Sequence, residues 1–66
     1  MPTIDIQLVA GHTLDEKRAL VAELTNAVLS ALGGSPDKVK VTIHEVGDDQ
    51  IATGGVLRID RDLARR

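Results

Sequence analysis

The sequence contains no cysteine and no phenylalanine, tyrosine or tryptophan. Without cysteine there is no disulfide to staple the fold and no thiolate to bind a metal or attack a substrate. Without aromatics there is no stacking surface for bases, and the core has to come from Ile, Leu, Val and Ala. Histidine is sparse too: His12 and His44 stand far apart with no HExxH pattern, so no metal site is expected. Eight basic residues against ten acidic ones give a net charge of -2, with none of the basic surplus that nucleic-acid binding uses. No apolar run approaches the roughly 20 residues of a membrane span. Nor does the N-terminus carry the basic, apolar and small-residue regions of a signal peptide. The expectation is a single cytoplasmic domain over residues 1–66 that binds neither nucleic acid nor membrane.

Chain length adds a constraint. A domain of this size buries only about 60% of the surface its unfolded chain exposes. Scaffolds this small normally rely on disulfides, a metal or oligomerisation. With the first two removed, self-association is the expected source of further buried surface.

What is present reads as a short series of elements. Ile4, Ile6 and Leu8 alternate with Thr3, Asp5 and Gln7, the period-two pattern of a half-buried strand over Thr3–Val9. Thr13-Leu14-Asp15-Glu16 then matches a capping box. The helix it opens is expected from Leu14 or Asp15 to Leu32. Leu20, Leu24, Ala27, Val28, Ala31 and Leu32 form its apolar stripe, and Glu16, Lys17, Arg18, Glu23 and Asn26 its wet side. Gly33-Gly34 stops the helix, and Ser35-Pro36-Asp37 starts a separate turn. A second strand is expected over Val39–Val46, parallel to the first through a right-handed crossover. Ile51 to Leu57 reads as a short hairpin around Gly54-Gly55, and Arg58 to Arg66 as a charged, half-ordered tail. The fold class is therefore α/β, a β-α-β unit with a C-terminal hairpin. A two-stranded sheet under one helix is marginal alone; pairing into a four-stranded sheet dimer backed by two helices would cover what is left open.

The residue with the most chemical promise is Pro2. Met1 is routinely removed ahead of a small side chain, which leaves a secondary amine on a rigid ring. An α-amino group titrates at roughly 7.7–8, and burial or a nearby cation lowers that value. Such an amine is suited to general-base work near neutral pH. Were Met1 retained, the same nitrogen would be an amide without a basic lone pair.

Met1-Pro2 opening straight into a strand, Asp15-Glu16-Lys17 at the helix start, the Val39 to Glu45 strand and Thr53-Gly54-Gly55 in the hairpin occur in a particular order and spacing. In this the chain resembles the tautomerase superfamily, in its short 4-oxalocrotonate tautomerase group, along nearly its whole length. The resemblance implies a hexamer built as a trimer of dimers. It also implies that the Pro2 nitrogen moves a proton between oxygen and carbon of an acidic enol, with no cofactor. Three positions depart from the group's pattern. His12 stands where an arginine engages a substrate carboxylate, Lys40 where a second arginine holds the substrate's other end, and Ile51 where an aromatic walls the pocket. Lysine attracts a carboxylate without arginine's bidentate fork, and an unperturbed imidazole is mostly neutral at pH 7.

The expected function is 1,3- or 1,5-proton transfer on a 2-hydroxy-dienoate or 2-oxo acid, with Pro2 as base and Lys40, His12 and Ile51 at the substrate. Alternatives from the same resemblance are a degenerate or partner subunit of a heteromeric complex, and a hydratase- or dehalogenase-like relative. Glu45 and Asp49 are the carboxylates that could activate water in the last case. His44, on the strand face of Lys40 and Thr42, reads as a surface or interface residue. Arg58 and Arg61 are guanidiniums that could reach a neighbouring subunit's site in place of the missing arginines.

Overall fold

The alternation at the N-terminus becomes strand β1 (Thr3–Val9), whose even residues are half-buried and whose Thr3, Asp5 and Gln7 are exposed. The computed structural model describes the backbone of residues 1–64 and the side chains of residues 1–61. Helix α1 (Leu14–Leu32) follows, then a single 3-10 turn (Pro36–Lys38), strand β2 (Lys40–Val46), a hairpin of β3 (Ala52–Thr53) and β4 (Val56–Leu57), and helix α2 (Arg58–Ala64). β1 and β2 run parallel, with Thr3 opposite Lys40, Ile6 opposite Ile43 and Val9 opposite Val46. In this register Ile4, Ile6 and Leu8 share the α1 side with Val41 and Ile43, while Asp5, Gln7, Thr42 and His44 share the other.

Helix α1 starts where its capping box places it. The Thr13 hydroxyl accepts from the Glu16 N–H at 3.1 Å, and the Glu16 carboxylate accepts from the Thr13 N–H at 2.8 Å. It ends at Gly33, whose φ of 74° suits a residue without Cβ, and whose N–H donates to the Leu29 carbonyl. Gly54 and Gly55, with φ of 62° and 81°, form the two-residue hairpin turn that needs positive φ at both positions.

Three expectations are corrected. The helix side resting on the sheet is made by Leu20, Val21, Leu24, Val28 and Leu29; Ala27, Ala31 and Leu32 are exposed, Leu32 by 75%. Lys17 does not lie on the wet side: it is half-buried and ion-paired with Glu45 of β2, because its long stem can follow the sheet while its ammonium reaches a carboxylate. The segment after the hairpin is helical, not half-ordered, through Ala64. Its entry is fixed by the Arg58 N–H on the Ile51 carbonyl (2.9 Å) and the Ile59 N–H on the Asp48 carbonyl (3.0 Å). Arg65 and Arg66 lie outside the described residues.

The chain on its own has no sealed core. Among the described residues none is fully buried, and Leu14 and Leu32 stand mostly in solvent. The radius of gyration is 15.6 Å, against about 11 Å for a compact chain of this length. The accessible surface is 5037 Å², against about 4,000 Å² for a compact monomer of this mass. The extents of 46 × 24 × 15 Å describe a sheet-and-helix body with an arm.

The capping box makes one prediction about stability. Thr13→Ala is expected to cost about 1 kcal/mol in chemical unfolding. The Thr13 backbone N–H, then its hydroxyl contact, hold the Glu16 carboxyl below its ordinary value, and nearby His12 adds to this. The unfolded chain therefore takes up this proton more readily than the folded one. The stabilisation is complete above the ordinary glutamate value near 4.5 and fades as pH falls from there through the lower folded value. Glu16→Gln, which keeps the hydrogen-bonding shape, is expected to flatten that part of the stability–pH curve.

Candidate active site

Pro2 sits immediately before β1 and is half-buried. Its carbonyl accepts the Lys40 backbone N–H at 3.0 Å, so the first residues of both strands are locked side by side. Met1 is 87% exposed, which presents the Met1–Pro2 bond to solvent. While Met1 remains attached, the Pro2 nitrogen is an amide.

Lys40 pairs with Thr3 at the same sheet end, and among the described residues its ammonium has no ion pair. Strand alternation sends it away from α1. Glu45, five positions on, meets Lys17 of α1, whereas His44, on Lys40's own face, has its Nε2 3.9 Å from Asp5 Oδ1. Pro2 lies in the even-numbered series of Ile4 and Ile6. The two residues are neighbours along the backbone, on opposite faces of the sheet.

His12 and Ile51 lie at the other end. His12 follows β1, is exposed, and has its Nδ1 3.9 Å from Glu16 Oε2. With Leu8, Glu16, Lys17 and Leu20 it lines a cleft of about 270 Å³ between β1 and the start of α1. Ile51 follows the turn after β2, and β2 ends beside β1, where the Ala10 N–H donates to the Val46 carbonyl at 2.7 Å. It lines a smaller pocket of about 80 Å³ with Thr53, Val56, Arg58 and Arg61. The seven residues of β1 separate Pro2 from His12 by about 23 Å at roughly 3.3 Å per residue. One chain thus brings Pro2 to Lys40, and Ile51 to two arginines, but does not bring these two groups together.

The other candidates are placed as follows. Glu45 is held by Lys17 and is not a free carboxylate. Asp49 is exposed in the turn after β2. His44 lies on the sheet face away from α1, as expected. The grouping of Arg58 and Arg61 beside Ile51 was missed in the sequence. The signal was their i, i+3 spacing, which puts them on one side of a helix once the segment is read as helical.

Comparison with known proteins adds to this geometry. The family model described as tautomerase enzyme matches residues 2–61. The chain belongs to the tautomerase family. It is therefore an isomerase of the tautomerase type, built on the β-α-β unit and hairpin seen above. A 2-hydroxymuconate tautomerase of Bacillus subtilis is 36% identical over 55 residues, covering 83% of this chain and 89% of that protein. A structure from the 4-oxalocrotonate tautomerase isozymes of Methylibium petroleiphilum superposes with a TM-score of 0.90 at 35% identity, covering 96% of this chain and 98% of that one. A heterohexamer 4-oxalocrotonate tautomerase from Chloroflexus aurantiacus has a TM-score of 0.84 at 23% identity, covering 91% and 97%; that likeness is one of fold. No helix among the described residues of this tautomerase is long and apolar enough to cross a membrane.

Proposed function

We propose that this tautomerase, once Met1 is removed, uses the Pro2 amine as the general base in a cofactor-free enol–keto isomerisation of a small acid. The substrate class is a 2-hydroxy-dienoate or 2-oxo acid. The amine takes the enol hydroxyl proton, and the O–H electron pair becomes the C=O π bond. The displaced C=C electrons accept the proton from the resulting ammonium at carbon, one double bond away for a 1,3 shift or two for a 1,5 shift. The base is regenerated and nothing else is consumed. Lys40 attracts the substrate's carboxylate and, by its charge, favours the neutral amine. His12 and Ile51 are the groups assigned to the remainder of the substrate.

The observation that carries this reading is the start of the chain. A half-buried proline sits one residue inside an exposed methionine and is clamped by backbone to the strand that begins with Lys40. The proposal takes residues 1–66 as a single domain acting in the cytoplasm. Assembly is part of the proposal. The separation of Pro2 and Lys40 from His12 and Ile51, and the lack of any fully buried residue among those described, favour a site built where copies meet. The assembly proposed is a hexamer made as a trimer of four-stranded dimers, with a heteromer containing a related chain as the variant.

The test is ketonisation of phenylenolpyruvate, followed by ultraviolet absorbance, with methionine removal verified by mass. A rate well above buffer that falls by about 10²-fold in Pro2→Ala supports the amine as base; that variant keeps a primary amine but loses the ring that positions it. Rates equal to buffer in both would overturn the reading.

A further inference from the structure

The cleft between β1 and the start of α1 carries its charges in a way that disfavours a second carboxylate. Leu8 and Leu20 supply its apolar wall, and His12, Glu16 and Lys17 its polar one. Glu16 is fixed in place: its Oε1 accepts from the Thr13 N–H at 2.8 Å, and its Oε2 lies 3.9 Å from His12 Nδ1. The Thr13 backbone and hydroxyl contacts hold its carboxyl below the ordinary glutamate value, so it stays ionised at neutral pH. Lys17 is no counterweight, because its ammonium is already paired with Glu45 of β2. Two carboxylates thus face one ammonium and one imidazole. Their balance is neutral when His12 is charged and negative when it is not, so neither form offers a spare cation. Taking an anion out of water without a partner is costly, whereas an uncharged carbon group gains from covering Leu8 and Leu20. An apolar cavity of roughly 150 Å³ holds a benzene ring, and this cleft has about 270 Å³. The pocket lined by Arg58 and Arg61 shares no residue with it.

We propose that the cleft of Leu8, Leu20 and Glu16 takes an uncharged apolar tail of the substrate, so that this tautomerase prefers monocarboxylic enol acids with a tail of about phenyl size over dicarboxylic ones. This rests on the reading of Pro2 as the base. Lys40 takes the single carboxylate, and the tail extends away from it. Because the cleft lies at the end of the sheet away from its own Pro2, the tail of a substrate held on one copy enters the cleft of another. Leu8 and Leu20 cover the tail, and Glu16 turns away a second anion.

The experiment compares kcat/KM for phenylenolpyruvate, with one carboxylate, and 2-hydroxymuconate, with two, in the processed, assembled protein. The ratio is expected to favour phenylenolpyruvate by roughly 10–100-fold, the range for leaving a desolvated polar group without its partner. Combining His12→Arg with Glu16→Gln, which adds a guanidinium and removes the anion, is expected to lower that ratio by a similar factor. A wild-type ratio that favours 2-hydroxymuconate, or one that the double variant leaves unchanged, would overturn the proposal. A second measurement needs neither variants nor turnover. In carbon-13 NMR, the methyl signals of Leu8 and Leu20 are expected to shift on titration with hydrocinnamate, a phenyl-bearing monocarboxylate whose ring current reaches them. They are expected to stay in place with adipate, an unreactive dicarboxylate. Equal shifts with both, or none with hydrocinnamate, as when another copy fills the cleft, would overturn the proposal. Shifted methyls with a fully active Pro2→Ala would remove the proline base and keep the tail site. A collapsed Pro2→Ala with unmoved methyls would do the reverse.

Discussion

Blocking the Pro2 nitrogen, by retaining Met1 or by acylating the processed chain, is expected to lower kcat/KM for an enol acid by roughly 10²–10⁴-fold, the usual worth of a positioned acid–base group. The loss should exceed that of Pro2→Ala. Alanine at position 2 is also small enough for methionine removal, so that variant still ends in an amine of ordinary basicity. It lacks only the ring that fixes the lone pair relative to β1. An amide nitrogen has no basic lone pair at all. The diagnostic is therefore the order of the three rates: processed wild type, then Pro2→Ala, then the blocked chain. The pH profile should follow the same logic. The rate for the processed chain should rise as the amine loses its proton, whereas the blocked chain should show no such rise. A blocked chain as active as the processed one would remove Pro2 from the chemistry.

The second large effect concerns assembly. A chain with no buried residue among those described, and a radius of gyration of 15.6 Å where about 11 Å is expected of a compact fold, cannot derive ordinary stability from its own contacts. Folding and association should be one transition. Each tenfold dilution then removes about 1.1 kcal/mol per subunit of a hexamer, five-sixths of the free energy of a tenfold change, which lowers Tm by on the order of 5–10 °C for a domain of this size. Activity per subunit should fall over the same concentration range, because the two halves of the site separate when copies do. The check is thermal unfolding and specific activity at three concentrations a decade apart. A Tm independent of concentration would mean that the isolated subunit is stable.

How much of this was legible in the sequence differs from element to element. β1 was readable because one of its faces is half-buried and the alternation is regular. The start of α1 was readable because Thr13 and Glu16 satisfy each other's backbone donors whatever the rest of the chain does. The stripe of α1 was only partly readable. The helix carries apolar residues around more than one side, and one chain cannot say which of them the sheet covers and which are left for other surfaces. Charge alone places Lys17 in solvent, whereas its stem lies along the sheet and Glu45 receives its ammonium. The segment from Arg58 looked like a tail because seven residues give too short a period to see, and its two backbone anchors, Ile51 and Asp48, lie outside it. For the candidate site, residue identities could be read from order and spacing. Their division between opposite ends of the sheet could not, since it follows from the parallel register of β1 with β2.

That division leads to the most direct test of the central claim, that the Pro2 base works in a site made by more than one copy. A blocked-Pro2 chain and a His12→Ala, Ile51→Ala double variant, each weakly active alone, would be unfolded together in equal amounts and refolded into mixed assemblies. If His12 and Ile51 of one copy serve Pro2 of another, random mixing restores about one quarter of the sites to full composition. Activity should then rise to about that fraction of wild type. If every copy holds its own Pro2, His12 and Ile51 in one site, no mixed assembly contains an intact set. Activity remaining at the average of the two separate variants would contradict the account.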